Sequence, residues 1–154
     1  MIYSRSAEYA IRACIDMAEL KPGAFSMVKQ IAERTSAPSH FLSKILQQLA
    51  RETLLRSNKG PTGGFCLRMP AEEMSLWTIV STIDGTERYQ RCSVGFAECN
   101  DDQPCPMHDG WKDLRSKVMG YLEETTIADL AKAAVVKRAG GKPKKAKKAA
   151  AKKK

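Results

Sequence analysis

Apolar residues in the first stretch recur at helical spacing: over residues 6–20, Ala7, Ala10, Ile11, Cys14, Met17 and Ala18 share one face. Lys21-Pro22-Gly23 stops that helix. Ser26 stands where it can cap a second short helix through Val28, Ile31 and Ala32. Thr35-Ser36-Ala37 reads as a turn, and Pro38 begins a helix to about Arg51, at a position where no backbone N–H is needed. Leu42, Ile45, Leu46 and Leu49 form its buried stripe. The opposite face carries His40, Ser43, Lys44, Gln47 and Arg51, with Ser39 at the helix start: donors and cations, and no carboxylate.

Two short strands follow, Thr53-Leu54-Leu55-Arg56 and Phe65-Cys66-Leu67-Arg68, around the glycine-rich turn Ser57–Gly64. Two helices, a tight turn and a hairpin read as a helix-turn-helix with a wing. In the wing, Asn58, Lys59 and Thr62 are placed to approach phosphates or a minor groove. No Gly-Lys-Ser/Thr pattern opens a helix at this turn, so it is not a nucleotide loop. Ser75 begins a helix with Leu76, Ile79, Val80 and Ile83 on one face. Residues 84–106 read as irregular. A longer helix from about Asp109 to Glu124 carries the seam Trp111, Leu114, Val118, Tyr121 and Leu122, and Thr126-Ile127-Ala128-Asp129 is a capping box for a last short helix. The predicted class is mainly α with a small β-hairpin wing: a winged helix-turn-helix plus a long dimerisation helix. Its expected divisions are a DNA-binding domain over 1–83, a loop and dimerisation helix over 84–136, and a Lys-rich tail over 137–154.

Charge sharpens this picture. The net +9 sits almost wholly in residues 137–154, which hold ten basic and no acidic residues. Residues 1–68 carry ten basic against five acidic, whereas 69–136 carry six against twelve. A polyanion therefore docks on the N-terminal half. The tail reads as disordered, because like charges repel and little apolar surface offsets its ordering entropy; its role would be non-specific phosphate attraction. No run of 18 apolar residues exists, so no membrane span is expected. The start Met1–Arg5 lacks an apolar signal core, so a cytoplasmic, nucleoid-associated location is expected.

The five cysteines divide into two groups. Cys14 lies on the apolar face of the first helix and Cys66 in the wing hairpin, and both read as packing residues. Cys92, Cys99 and Cys105 share one loop in the pattern Cys-x6-Cys-x5-Cys-x2-His, ending at His108. Disulfides fit poorly with an odd count in a reducing compartment. Zinc on three thiolates and an imidazole is open, although structural zinc sites use closer spacing. An iron–sulfur cluster suits the wider gaps. Arg88, Arg91 and Lys112 could offset the negative charge of such a ligand set.

Together, Tyr9-Ala10-Ile11-Arg12, Phe41–Leu49, Gly60-Pro61-Thr62-Gly63-Gly64-Phe65 and the three loop cysteines resemble the Rrf2 family of winged-helix regulators, over about residues 1–136. The resemblance implies a homodimer on double-stranded DNA, with helix 38–51 in the major groove and the wing along the minor groove. It also implies a cluster held by Cys92, Cys99 and Cys105. Members that respond to iron–sulfur status use a His three residues after the last Cys, matching His108 and a two-iron cluster. Members that respond to nitric oxide use an acidic residue of the partner's first helix, matching Glu8 and a four-iron cluster. His108 and the two-iron form are favoured, since His108 belongs to the same loop. Lys59 stands where relatives carry a wing arginine, and Ser43 where one branch carries a base-discriminating glutamate. The expected function is a transcriptional regulator, not an enzyme, controlled by an iron–sulfur cluster that senses cluster status, nitric oxide or redox state. A thiol- or zinc-based redox regulator and a tail-driven nucleoid-type protein are the alternatives.

Overall fold

The computed structural model describes residues 2–60, 63–96 and 99–140. Helix α1 (Arg5–Ala18) is capped by Ser4, whose hydroxyl accepts from the Ala7 N–H. Ala7, Ala10, Ile11, Ala13, Cys14 and Met17 are its buried face. Helix α2 (Val28–Thr35) and helix α3 (Ser39–Arg51) follow, joined by a turn in which Ser36 is left-handed at φ 54°. Both helices close on α1. Leu42, Leu46 and Leu49 are fully buried, and each such side chain contributes about 1.5–3 kcal/mol by leaving water.

Ser26 differs from its expected role. Met27 is the N-cap of α2, and the side chain of Gln30 reaches back to accept from the Met27 N–H at 3.1 Å. Ser26 instead pairs in antiparallel fashion with Phe65, through hydrogen bonds of 2.9 and 3.0 Å. Arg34 completes the junction: it grips Asp16 of α1 with two 2.7 Å bonds and donates to the Ser26 hydroxyl at 2.7 Å.

The wing is an antiparallel pair, β1 (Leu55–Asn58) and β2 (Gly64–Leu67), with Arg56 opposite Cys66 and Asn58 opposite Gly64. Both strands are displaced from their expected limits. Thr53 is left-handed at φ 62°, so it belongs to the exit from α3 rather than to a strand. Gly64 is required by the docking of β2: it holds φ +143°, and a Cβ there would lie 2.2 Å from the Ser26 carbonyl oxygen.

Helix α4 (Leu76–Asp84) packs on α1 and α3, capped by Ser75. A single 3-10 turn, Glu87–Tyr89, interrupts the following loop, which the sequence reads as wholly irregular. Helix α5 (His108–Glu124) rests on α4, and only His108 and Leu122 of its residues are buried. Leu114 and Tyr121 are each 52% exposed, so part of its apolar seam is uncovered, whereas Leu122 is fully buried and Val118 packs on the core. Helix α6 (Ile127–Arg138) returns to α1, capped by the expected Thr126–Asp129 box. It extends through Lys137 and Arg138, and Arg138 pairs with Glu19; residues 141–154 lie outside the described residues. Among the described residues, no helix is long and apolar enough to cross a membrane.

Candidate nucleic-acid interface and cysteine centre

Helix α3 shows one apolar and one polar side. Leu42, Ile45, Leu46 and Leu49 face the core, whereas Ser39, His40, Lys44, Gln47 and Arg51 are exposed and Ser43 is half-buried. The Gln47 amide lies 3.5 Å from the Ser43 hydroxyl, one turn back. Phe41 braces the helix from its N-terminal end, edge-on to Tyr9 of α1 at 6.0 Å between ring centroids. Arg5 sits over the other partner, 5.8 Å from the centre of the Tyr9 ring.

Asn58 and Lys59 are exposed at the tip of β1, where Gly60 turns the chain at φ +108°. Thr62, the third expected wing contact, lies outside the described residues. A Cβ on Gly63 would approach the Asn58 carbonyl to 2.4 Å. Gly63 and Gly64 thus serve close approach of the protein's own backbone. The glycine run in the sequence signals the turn but does not distinguish that use from approach to a ligand.

The expected cysteine site divides into two pairs. Cys99 Sγ lies 3.6 Å from Nδ1 of His108, and Cys92 and Cys105 interact with each other. The backbone N–H of Val94 draws the Cys92 thiol below its ordinary range, against the opposing effect of its burial; Phe96, Gly95 and Cys105 reinforce the lowering. Hydrogen bonds to sulfur of this kind are also what tunes an iron–sulfur centre. Cys14 behaves oppositely: burial alone pushes it up to about 12. Cys66 is raised by burial, with Arg56 opposing.

His108 is the buried residue of the first turn of α5, at 4% exposure. Its Nε2 is 2.8 Å from Asp101, whose carboxylate is also held by Lys112 at 2.7 Å from both oxygens. Lys112 foremost, and then His108, hold the Asp101 carboxyl below the usual carboxylate range. The sequence gives Lys112 only as a general counter-charge, and Asp101 has no periodic or motif signal among the acidic residues around it. Arg88 and Arg91 are engaged by Asp84 and Glu87 at 3.9 and 3.6 Å.

Helix α5 also holds the loop through its main chain. Trp111 Nε1 donates to the Arg91 carbonyl at 3.0 Å, and Arg115 donates to the Gln90 carbonyl at 3.2 Å. Cys99 lines a cleft of about 560 Å³ between α4 and α5, with Trp77, Tyr89 and Met119.

Glu8, the alternative fourth ligand, lies on α1 and is ion-paired with Arg5 at 3.3 Å and Arg12 at 3.6 Å. Among the described residues, no three His, Cys, Asp or Glu side chains converge on one point. The donor chemistry nevertheless fits an iron–sulfur centre: three thiols, one drawn toward thiolate, and an imidazole turned toward one of them.

The helix-turn-helix, its antiparallel wing and the exposed polar face of α3 define a winged-helix DNA-binding regulator of transcription. Residues 3–133 match the model of the Rrf2 family, described as an iron-dependent transcriptional regulator, and the chain belongs to that family. An HTH-type transcriptional regulator of Aquifex aeolicus is 31% identical over 132 residues, covering 84% of this chain and 91% of the relative. The HTH-type transcriptional regulator IscR of Vibrio atlanticus is 26% identical, over 86% of this chain and 76% of that protein. In fold, the chain is similar to the solved structure of CymR, the global cysteine regulator of B. subtilis: TM-score 0.71 at 24% identity, over 83% of this chain and 94% of that one. These relatives are regulators of transcription and not enzymes.

Proposed function

We propose that the chain works as a homodimer whose DNA binding is set by an iron–sulfur cluster held at Cys92, Cys99, Cys105 and His108. The observation that carries this reading is the inward turn of His108, with Nδ1 3.6 Å from Cys99 Sγ at the end of the cysteine series. The iron-dependence named for the family supports it. When bound, the cluster supplies a centre sensitive to redox change and to ligand exchange by oxygen or nitric oxide. His108 would be the one nitrogen donor among three thiolates and so the weaker hold on the group, and the cleft lined by Cys99 would let small oxidants reach it. The two-iron form, with His108 as fourth ligand, is favoured over a four-iron form using the partner's Glu8, because the carboxylate of Glu8 is already engaged by two arginines.

The route to DNA runs through α5. Trp111 and Arg115 fasten residues 90 and 91 to it, so movement of the loop at Cys92 bears on the helix. Leu114 and Tyr121 present an apolar surface that a second copy of the chain would cover. Two copies joined there space two α3 helices for successive major grooves. Lys44 and Arg51 would meet phosphates. Ser39, His40, Ser43 and Gln47 would face base edges, while Asn58, Lys59 and Thr62 would follow the minor groove. Such a protein works in the cytoplasm, on the nucleoid.

The Cys92 thiol, drawn down chiefly by the Val94 N–H and in smaller part by Cys105, supports a second reading in which these thiols respond directly to oxidants.

The test selects binding sites from a random duplex pool with anaerobically prepared protein, then compares affinity before and after the iron is chelated. The proposal expects a change of about tenfold, within the usual range of allosteric coupling. Equal affinity in both states overturns cluster control. A response to thiol oxidants in iron-free protein favours the second reading.

A further inference from the structure

Asp101 has a use that charge balance does not explain. Its side chain is 70% exposed, so bulk water could hydrate it fully. It instead reaches the buried imidazole of His108 at Nε2, 2.8 Å away, while Lys112 holds both its oxygens at 2.7 Å. An ionised carboxylate only accepts hydrogen bonds, so the proton between them belongs to Nε2. The ring's other nitrogen, Nδ1, is the one aimed at Cys99 Sγ. His108 and Lys112 stand one turn apart at the start of α5, so the loop carboxylate of Asp101 is clamped between two side chains of that helix.

We propose that Asp101, held by Lys112, is the positioning residue that fixes His108 with Nε2 protonated, and thereby assigns Nδ1 as the atom His108 offers to iron. This rests on the cluster reading for its consequence, but not for the tautomer itself. A carboxylate on the far nitrogen of a ligating histidine fixes both ring orientation and tautomer, and strengthens the ligand. Cys99 and Nδ1 then share one side of the site. Lys112 keeps the carboxylate in place against the ring, so the first two turns of α5 and the loop residue Asp101 together fix the ligand.

The test begins with iron-free, reduced, full-length protein and ring-labelled histidine. Long-range proton–nitrogen correlation spectra separate the two ring nitrogens, and His40→Asn assigns the signals, since the chain has two histidines. The expected result is an Nε2–H tautomer at His108 that becomes a mixture in Asp101→Ala, with unchanged far-ultraviolet circular dichroism. Partial retention is expected in Asp101→Glu. A proton on Nδ1 in the unsubstituted protein, or a tautomer unchanged in Asp101→Ala, overturns the proposal. Iron-loaded protein then tests the consequence. Pulsed electron paramagnetic resonance of the reduced form should show strong coupling to ¹⁵Nδ1 and weak coupling to ¹⁵Nε2, and Asp101→Ala should lose iron on the order of ten- to a hundredfold more readily. Strong coupling to ¹⁵Nε2 also overturns it. Protein that takes up no iron but shows the Asp101-dependent tautomer leaves Asp101 as the residue that sets His108 and defeats the cluster reading alone.

Discussion

The indole Nε1 of Trp111 donates a 3.0 Å hydrogen bond to the carbonyl of Arg91, the residue before Cys92. The bond joins the first turns of α5 to the cysteine loop. The sequence places Trp111 in an apolar seam, and its polar edge turns out to hold the main chain. Trp111→Phe keeps most of the ring and removes the donor, at a cost of about 1 kcal/mol. The expected outcome is faster alkylation of Cys92 in iron-free protein, read by mass spectrometry of its peptide, with little change at Cys14. Alkylation of Cys92 at the unsubstituted rate would show that α5 does not restrain the loop.

The wing depends on Gly64. An alanine there must hold φ +143° with its Cβ 2.2 Å from the Ser26 carbonyl oxygen. Either the backbone strains or the Ser26–Phe65 pairing parts, at a cost of about 2–5 kcal/mol. Urea denaturation of Gly64→Ala should show a lowered midpoint, and DNA affinity should fall because the wing leaves its seat beside α2. Unchanged stability would mean that the wing does not rely on this close approach.

Cys14 links stability to alkaline pH. Its thiol is pushed up to about 12 in the folded chain from 9.0, by burial. A raised pKa gives stability that is complete below the unfolded value and lost as pH rises toward the folded one. Between pH 9 and 12 the unfolded chain releases a proton that the folded chain keeps, so unfolding is favoured by up to about 1.4 kcal/mol per pH unit. Cys14→Ala should therefore lose stability less steeply than the unsubstituted protein between pH 9 and 10.5, in denaturant titrations at fixed ionic strength. Parallel slopes would contradict burial as the controlling effect.

The parts of the fold that follow from local periodicity are legible in the sequence. The stripe Leu42, Ile45, Leu46 and Leu49 fixes both the core face of α3 and its polar outer face. The Thr126–Asp129 box fixes the start of α6. What is not legible depends on partners distant in the chain. Ser26 has the chemistry of a cap, but Phe65 claims its backbone and Arg34 its hydroxyl. The candidate site shows the same division. Spacing brings His108 to the cysteines, because a helix start follows Cys105 closely. Asp101 and Lys112 give no such signal, because an exposed carboxylate and an exposed ammonium look alike whether or not the carboxylate also holds a buried ring.

Iron and acid-labile sulfide in protein purified without oxygen, measured beside the visible absorption spectrum, test the central claim most directly. The account predicts brown protein with iron and sulfide in about equal amounts, lost together in Cys92→Ser, Cys99→Ser and Cys105→Ser and weakened in His108→Ala. Colourless protein holding about one zinc per chain and no iron would contradict it.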